Sequence, residues 1–201
     1  DNRLLNLPEL PNKLIKLNCC NNKIQFIKSI PENLSEFCCC YNTLNTLPIL
    51  PDSLTCINCS NNFIKFFPKM PPFLMYLDAS HNKLSCLPEL PDSLKILYVD
   101  YNNLDKLPFT LTTKLNVFSC SNNQLKTIPE LPNSIDTLNV SNNNLTELKR
   151  LPAKITALNC SCNKISALDV SNLKLLSTID CSNNSLQRLD LSNNTNLNAA
   201  N

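Results

Sequence analysis

The chain has 201 residues, of which 43% are hydrophobic and 17% are charged, so it holds enough apolar material for a substantial core. A formal net charge of only +2 does not fit a nucleic-acid-binding protein, which normally shows a strongly basic face. No apolar run approaches the length that crosses a bilayer, and no signal-peptide pattern is visible. We therefore expect neither a nucleic acid nor a membrane among the partners.

Glycine is absent from the sequence, although tight turns commonly require a residue with positive φ. Asparagine is abundant instead, and it tolerates the left-handed region of φ/ψ space better than most residues. We expect asparagine to replace glycine in the turns.

One motif, Leu-x-x-Leu-x-Cys-x-x-Asn-x-Leu, recurs along almost the whole chain at intervals of 20 or 21 residues. A fixed period of this length with this pattern is the signature of leucine-rich repeats. The sequence predicts a single leucine-rich-repeat domain over residues 1–201, with nine full coils and a partial coil at each end, which we interpret as a piece of a longer protein. The asparagines that mark the coils, and that should form a structural ladder, are Asn22, Asn42, Asn62, Asn82, Asn102, Asn123, Asn143, Asn163 and Asn184.

Each unit begins with an extended segment, for which residues 74–79 are an example. Leu77 and Ala79 should point inward, so that neighbouring coils form a parallel sheet with one strand per coil on the concave face. Asn82 should then turn inward, where its amide can bond backbone groups of its own turn and of the next coil. Leu84 should fill the core behind the sheet.

A proline-rich segment, Leu-Pro-x-Leu-Pro-x-Ser-Leu in residues 87–94, should return the chain to the next strand. Two prolines three residues apart disfavour an α-helix and favour polyproline or 3₁₀ structure, so we expect a convex side with little α-helix. Two units depart from this pattern. Residues 109–114 carry one extra residue, whereas residues 168–173 lack the prolines and are expected to form a second short extended segment.

The spacing Leu-Pro-x-Leu-Pro-x-x-Leu-x-x-Leu-x-x-x-x-Asn covers nearly all of the chain. It resembles the short repeats of bacterial effector proteins of the IpaH and YopM group, and similar repeats in giant viruses and amoeba-associated bacteria. The resemblance implies a repeat solenoid that binds another protein. IpaH-like members also carry a separate ubiquitin-ligase domain, which no part of this sequence resembles. The resemblance thus leaves open that the chain is the substrate-recognition arm of a larger enzyme such as a ubiquitin ligase.

Six of the twelve cysteines share the inward strand position that Ala79, Val99 and Val140 occupy in other coils. Because free cysteine behaves as a small buried hydrophobe, we interpret these six as core residues. They are Cys19, Cys39, Cys59, Cys120, Cys160 and Cys181.

Another four cysteines should lie on or beside the concave face of the first three coils: Cys20, Cys38, Cys40 and Cys56. Such a cluster could bind a metal or form a disulfide. It lacks a pair of Cys-x-x-Cys motifs and a histidine partner, so we expect no metal and no cofactor. The cysteine spacing follows the repeat rather than a secreted disulfide scaffold. We therefore expect an intracellular protein, located in the cytoplasm of its own cell or of a host cell.

The outward strand positions differ between the middle coils and the others. Early and late coils carry small or polar residues there, whereas the middle coils carry apolar and aromatic ones. Exposed patches of this kind usually mark an interaction site, and interface hot spots are enriched in tyrosine. Strand propensity alone is the alternative explanation. The predicted partner-binding residues are Met75, Tyr76, Asp78, Ile96, Tyr98, Asp100, Tyr101 and Val117.

Catalysis is not expected. Asp78, which should lie beside Tyr98, and Asp100 are diagonal neighbours that invite comparison with a two-carboxylate hydrolase, but an open sheet offers no pocket that excludes water. His81 is interpreted as a surface residue. The sequence thus predicts a non-catalytic scaffold that binds a protein on its concave face. The alternatives are the recognition arm of an enzyme and a secreted receptor for a carbohydrate or a peptide.

Overall fold

The computed structural model, which describes residues 2–201, is a solenoid with one strand in each coil. All ten strands lie parallel in one sheet, in the order in which they occur along the chain. The predicted leucine-rich-repeat architecture is confirmed, and the last partial coil adds a tenth strand. The strands are β1 (Lys16–Asn18), β2 (Glu36–Cys38), β3 (Cys56–Asn58), β4 (Tyr76–Asp78), β5 (Ile96–Tyr98), β6 (Val117–Ser119), β7 (Thr137–Asn139), β8 (Ala157–Asn159), β9 (Thr178–Asp180) and β10 (Ala199–Ala200).

The strand register places equivalent residues of neighbouring repeats side by side. Tyr76 pairs with Ile96, and Asp78 pairs with Tyr98, as the sequence predicts. The central residue of each of these strands is buried, while the residues on either side are half-buried. Because side chains alternate along a strand, the first and third residues of the three-residue strands β1 to β9 form two outward rows on the concave face.

The core is one continuous cluster of buried side chains that runs from coil to coil. Leu77, Ala79 and Leu84 are fully buried, as predicted. Five of the six cysteines predicted to point inward are also buried, whereas Cys181 is half-buried. Burial raises the pKa of the Cys19 and Cys160 thiols to about 12, so both are neutral core residues at physiological pH.

Each coil turns at a residue with positive φ directly before the marker asparagine. Asparagine takes this position in five coils, with φ between 52° and 57°, as expected for a chain without glycine. These residues are Asn21, Asn61, Asn122, Asn142 and Asn183. The other four coils place bulkier residues in the same left-handed conformation, namely Tyr41, His81, Tyr101 and Cys162.

The marker asparagines tie each coil to the one before it. The Asn82 side-chain amide donates hydrogen bonds to Ala79 and Ser80 carbonyls in its own turn, at 3.1 and 3.2 Å, and to the Cys59 carbonyl of the preceding coil at 3.0 Å. Its Oδ1 accepts from the Ile64 N–H, also in the preceding coil, at 2.9 Å. The expectation that this side chain bonds to the next coil is therefore wrong, because both of its inter-coil bonds run backward along the chain.

The convex side consists of single turns rather than helices. The Pro-x-x-Leu segments close one 3₁₀-type turn per coil, as in the hydrogen bonds from Leu74 N–H to the Pro71 carbonyl at 3.2 Å and from Leu94 N–H to the Pro91 carbonyl at 3.0 Å. Within residues 2–201 no helix is long and apolar enough to cross a membrane.

The second extended segment predicted for residues 168–173 is not formed. Asp169 accepts a hydrogen bond from the Ser171 N–H at 2.9 Å, which bends the chain as an Asx turn. A turn then closes from Leu173 N–H to the Val170 carbonyl at 3.0 Å, and the next closes from Leu176 N–H to the Leu173 carbonyl at 3.2 Å. Two consecutive turns thus replace the proline-rich path.

Candidate protein-interaction surface

The predicted partner-binding residues of the middle coils lie together on the concave face. Tyr76, Ile96 and Val117 are lateral neighbours in the first outward row, and Asp78 and Tyr98 are neighbours in the second. All five are half-buried. Met75 lies at the entry to β4 with 41% of its surface exposed, so it extends the patch toward the start of the strands.

Tyr76 and Tyr98 are in contact across the two rows. Their ring centroids are 6.1 Å apart and the ring planes meet at 66°, which is an edge-to-face arrangement. Pairs of this kind contribute about 0.5–1.5 kcal/mol beyond the area that they bury. Burial, and next the nearby Asp78 carboxylate, raise the pKa of Tyr76 to about 12. Its phenol is therefore a neutral hydrogen-bond donor at physiological pH, on a rigid aromatic platform.

The carboxylates of Asp78 and Asp100 accept hydrogen bonds from backbone N–H groups. Asp78 accepts a hydrogen bond from the Ser80 N–H at 3.0 Å. Asp100 accepts from the Ser121 N–H at 2.7 Å and from the Ser119 hydroxyl at 2.5 Å. Within residues 2–201 no hydrogen bond joins Asp78 to the neighbouring Tyr98. Both carboxylates therefore stabilise the turns that follow the strands.

A second aromatic pair stands where β4 and β5 end. The His81 imidazole stacks on the Tyr101 ring with centroids 4.2 Å apart and an interplanar angle of 11°. Both residues hold positive φ, at 53° and 52°, and 52% of Tyr101 is exposed. Left-handed conformations of residues other than glycine are strained and concentrate at functional sites. The His81–Tyr101 pair lines a shallow depression together with Phe63 and Lys83, beside the tyrosines of the concave face.

His81 is exposed, which agrees with its interpretation as a surface residue, but its stacking on Tyr101 was not predicted. The signal lies in the repeat alignment. His81 and Tyr101 occupy the left-handed position that asparagine fills in five other coils, so a bulky aromatic there replaces the residue that best tolerates the conformation. We define the aromatic patch as the predicted partner-binding residues together with His81.

The late coils present a different concave surface. Their outward rows carry small side chains and leave a shallow groove of about 380 Å³ over β7 to β10. Polar groups there are bonded internally: Asn139 accepts from the Ser141 N–H and hydroxyl, and Asn159 accepts from the Ser161 N–H and hydroxyl. This groove therefore offers few free polar groups and no large apolar anchor.

The first three coils carry an ion pair and the outward cysteines. Lys16 and Glu36 are joined at 2.7 Å across β1 and β2; the Lys16 side chain is largely exposed, whereas Glu36 is half-buried. The Sγ atoms of Cys20 and Cys40 are 2.6 Å apart. In the part of the chain that the structure describes, no three histidine, cysteine, aspartate or glutamate side chains converge to hold a metal ion.

These features define a leucine-rich-repeat solenoid with an open, curved sheet. No protein-family model and no curated protein sequence matches the chain. Solved structures do. The functional domain of InlJ from Listeria monocytogenes, which includes a cysteine ladder, superposes with a TM-score of 0.83 at 30% identity, over 94% of this chain and 44% of that one.

Effector proteins are among the other neighbours. YopM from Yersinia enterocolitica matches with a TM-score of 0.69 and 30% identity, over 94% of this chain and 53% of that one. A leucine-rich-repeat protein of Leptospira interrogans matches with a TM-score of 0.81 and 25% identity, over 98% of this chain and 57% of that one. The chain thus spans about half the length of these solved chains. It is a leucine-rich-repeat protein that resembles the repeat domains of bacterial effectors.

Proposed function

We propose that this protein is a non-catalytic scaffold that binds a protein partner on its concave face, with the aromatic patch as the binding site. One observation carries the proposal. Tyr76 and Tyr98 form an edge-to-face pair on a sheet face that no other part of residues 2–201 covers, and Ile96 lies beside them. Tyrosine supplies a large contact area and a hydroxyl at small conformational cost, which is why interface hot spots are enriched in it.

The chemistry of the patch supports binding rather than catalysis. The Asp78 and Asp100 carboxylates are bonded to neighbouring turns, and the tyrosine pair stands on an open face rather than in a closed pocket. A partner that presents an apolar protrusion flanked by carbonyl or carboxylate oxygens fits this surface, because the rings offer apolar contact and the phenols offer donors. The two aromatic pairs would contact such a partner along one continuous strip.

We further propose that the protein works inside a cell, in the cytoplasm of its own cell or of a host cell. Support comes from the spacing of the twelve cysteines, which follows the repeat rather than the pattern of a secreted disulfide scaffold. Disulfide scaffolds are typical of oxidising compartments, so this spacing favours a reducing one. The likeness to effector repeat domains is consistent with a host cytoplasm.

The binding proposal is tested by affinity capture from host-cell lysate followed by calorimetry on the captured protein. The Tyr76→Ala/Tyr98→Ala variant should raise the Kd by about 30-fold or more, as expected for loss of hot-spot residues worth at least 2 kcal/mol. The Thr137→Ala/Thr178→Ala variant is the matched control, because both threonines lie in the same outward row as Tyr76 but outside the aromatic patch.

Circular dichroism and thermal unfolding of both variants establish that the fold is intact. If the tyrosine variant binds with unchanged affinity while the threonine variant loses affinity, the binding site lies over the late coils instead. If both variants bind as the unmodified chain does, neither the aromatic patch nor the concave face of the late coils is the interface.

A further inference from the structure

The first two coils bring a pair of thiols into contact outside the core. Cys20 and Cys40 occupy the same position of neighbouring repeats, two residues after β1 and β2. Their Sγ atoms are 2.6 Å apart, and the Cys40 N–H donates a hydrogen bond to the Cys20 Sγ at 3.1 Å. We propose that Cys20 and Cys40 form a redox-responsive dithiol site that closes to a disulfide and locks the first coil to the second.

The backbone already satisfies the geometry of such a bond. Neighbouring parallel strands lie about 4.8 Å apart, within the Cα separation of roughly 4.4–6.8 Å that disulfides span. Asn18 and Cys38 are register partners, so the residues two positions later also stand side by side. Closure therefore requires rotation of two side chains rather than movement of the backbone.

The other cysteines do not offer an equivalent pair. Cys19, Cys39 and Cys59 are also lateral neighbours, but all three are buried in the core and closed to a reagent. Cys160 and Cys181 form another lateral pair, in which Cys160 is buried. Cys38 pairs in register with Asn58, and Cys56 pairs with Glu36 and Tyr76, so these two thiols lie in different outward rows. Cys20 and Cys40 are half-buried and stand on the accessible side of the sheet.

Packing does not explain the two thiols. Other coils place serine at this position, as in Ser60, Ser80 and Ser121. Serine is therefore compatible with this position of the repeat, which makes the serine variants suitable for a test.

The reaction balances with an oxidant of the disulfide class, such as oxidised glutathione. One cysteine thiolate attacks the glutathione disulfide and releases one glutathione thiol; the second thiolate then attacks the mixed disulfide and releases the other. The protein loses two protons and two electrons, and one glutathione disulfide becomes two thiols. Burial raises the pKa of Cys20 to about 12, which keeps its thiolate scarce, so uncatalysed closure should take minutes to hours.

The site would control the contact between two coils. Repeats in a solenoid contact only their neighbours, so a covalent link acts locally. On the concave surface the Lys16–Glu36 ion pair also joins β1 to β2, but both side chains are partly exposed to solvent, so this link is weak. Closure should slow amide hydrogen exchange in the first coil by about tenfold or more, and leave exchange in the last coils unchanged.

The test uses the native, reduced protein incubated with oxidised glutathione and then alkylated. Intact mass should show the loss of two hydrogens without an added glutathione, and peptide mapping should place the bond between Cys20 and Cys40. Cys20→Ser and Cys40→Ser should each abolish the bond, whereas the control variants Cys86→Ser and Cys38→Ser/Cys56→Ser should retain it. A dithiol reductant should restore the fast hydrogen exchange.

Three outcomes overturn the proposal. They are retention of all free thiols, glutathione adducts that persist without an internal bond, and a bond that peptide mapping places between other cysteines. A bond between Cys20 and Cys40 that leaves hydrogen exchange in the first coil unchanged contradicts the locking role.

Discussion

The inward and outward sides of a single strand differ in how much they vary from coil to coil. The central, inward residue is leucine in β4, β5, β7 and β8. The first, outward residue of the same strands is tyrosine, isoleucine, threonine and alanine in turn. The inward side fills a uniform space between stacked coils, whereas the outward side meets solvent or a partner. Stability and recognition are thus carried by different residues that alternate along three-residue strands.

The largest expected effect on the free energy of unfolding comes from comparing an inward with an outward substitution in the same coil. Leu97→Ala removes a fully buried side chain from the middle of the core and should lower the free energy of unfolding by about 2–5 kcal/mol, because it leaves a cavity. Lys95→Ala, two residues earlier and exposed, should change it by less than about 0.5 kcal/mol. Urea unfolding measures both. Equal losses in the two variants would contradict the assignment of stability to the inward side.

The asparagine ladder provides the next effect. Asn102→Ala removes one hydrogen bond from each of three carbonyls and leaves the buried Leu84 N–H without its partner, so it should lower the free energy of unfolding by about 1–3 kcal/mol. Asn22 bonds only two carbonyls and the Leu4 N–H, and it is half-buried, so Asn22→Ala should have a smaller effect. A loss at Asn22 as large as that at Asn102 would show that burial does not set the strength of the ladder.

The repeat pattern was sufficient to predict the parallel sheet and the alternation of buried and outward residues, because the motif that determines both recurs along the chain. The path of residues 168–173 was predicted wrongly, since an Asx turn at Asp169 decides it, and within residues 2–201 this position of the repeat forms the same turn only once more, at Asp190 in the last coil. The direction of the asparagine bonds was also wrong. Periodicity places Asn82 between two coils, but the geometry of the turn decides which of them it reaches.

For the candidate site, the sequence predicted which residues are neighbours in the strand register, but it did not predict their side-chain contacts. Pairing of Asp78 with Tyr98 follows from counting residues, so their adjacency was predictable. The hydrogen bond of Asp78 to Ser80 and the stacking of His81 on Tyr101 depend on side-chain rotamers, which the repeat does not determine. Whether the aromatic patch binds a partner stays a prediction, because the geometry of a surface does not identify the molecule that binds to it.

Substitutions at the left-handed turn position test whether the positive φ of Tyr41 and Tyr101 strains the backbone. Tyr41→Asn places the residue used in five other coils at a φ of 50° and should raise the free energy of unfolding by about 0.5–1 kcal/mol. Tyr101→Asn relieves the same conformation but also removes the stack on His81, so its gain should be smaller. Urea unfolding of the two variants provides the comparison. A larger gain at Tyr101 than at Tyr41 would show that the stack does not stabilise the folded state.

The smallest effect concerns the ionisation of Tyr76. Burial raises its pKa from 10.0 to about 12, so the folded state disfavours the phenolate more than the unfolded state does. The contribution of this group to stability is therefore complete below pH 10 and is lost as the pH rises from 10 towards 12. Ultraviolet titration should show a tyrosine that ionises in this upper range, and Tyr76→Phe should remove that step. Its persistence in the variant would mean that another tyrosine carries it, and that the edge-to-face pair does not desolvate Tyr76.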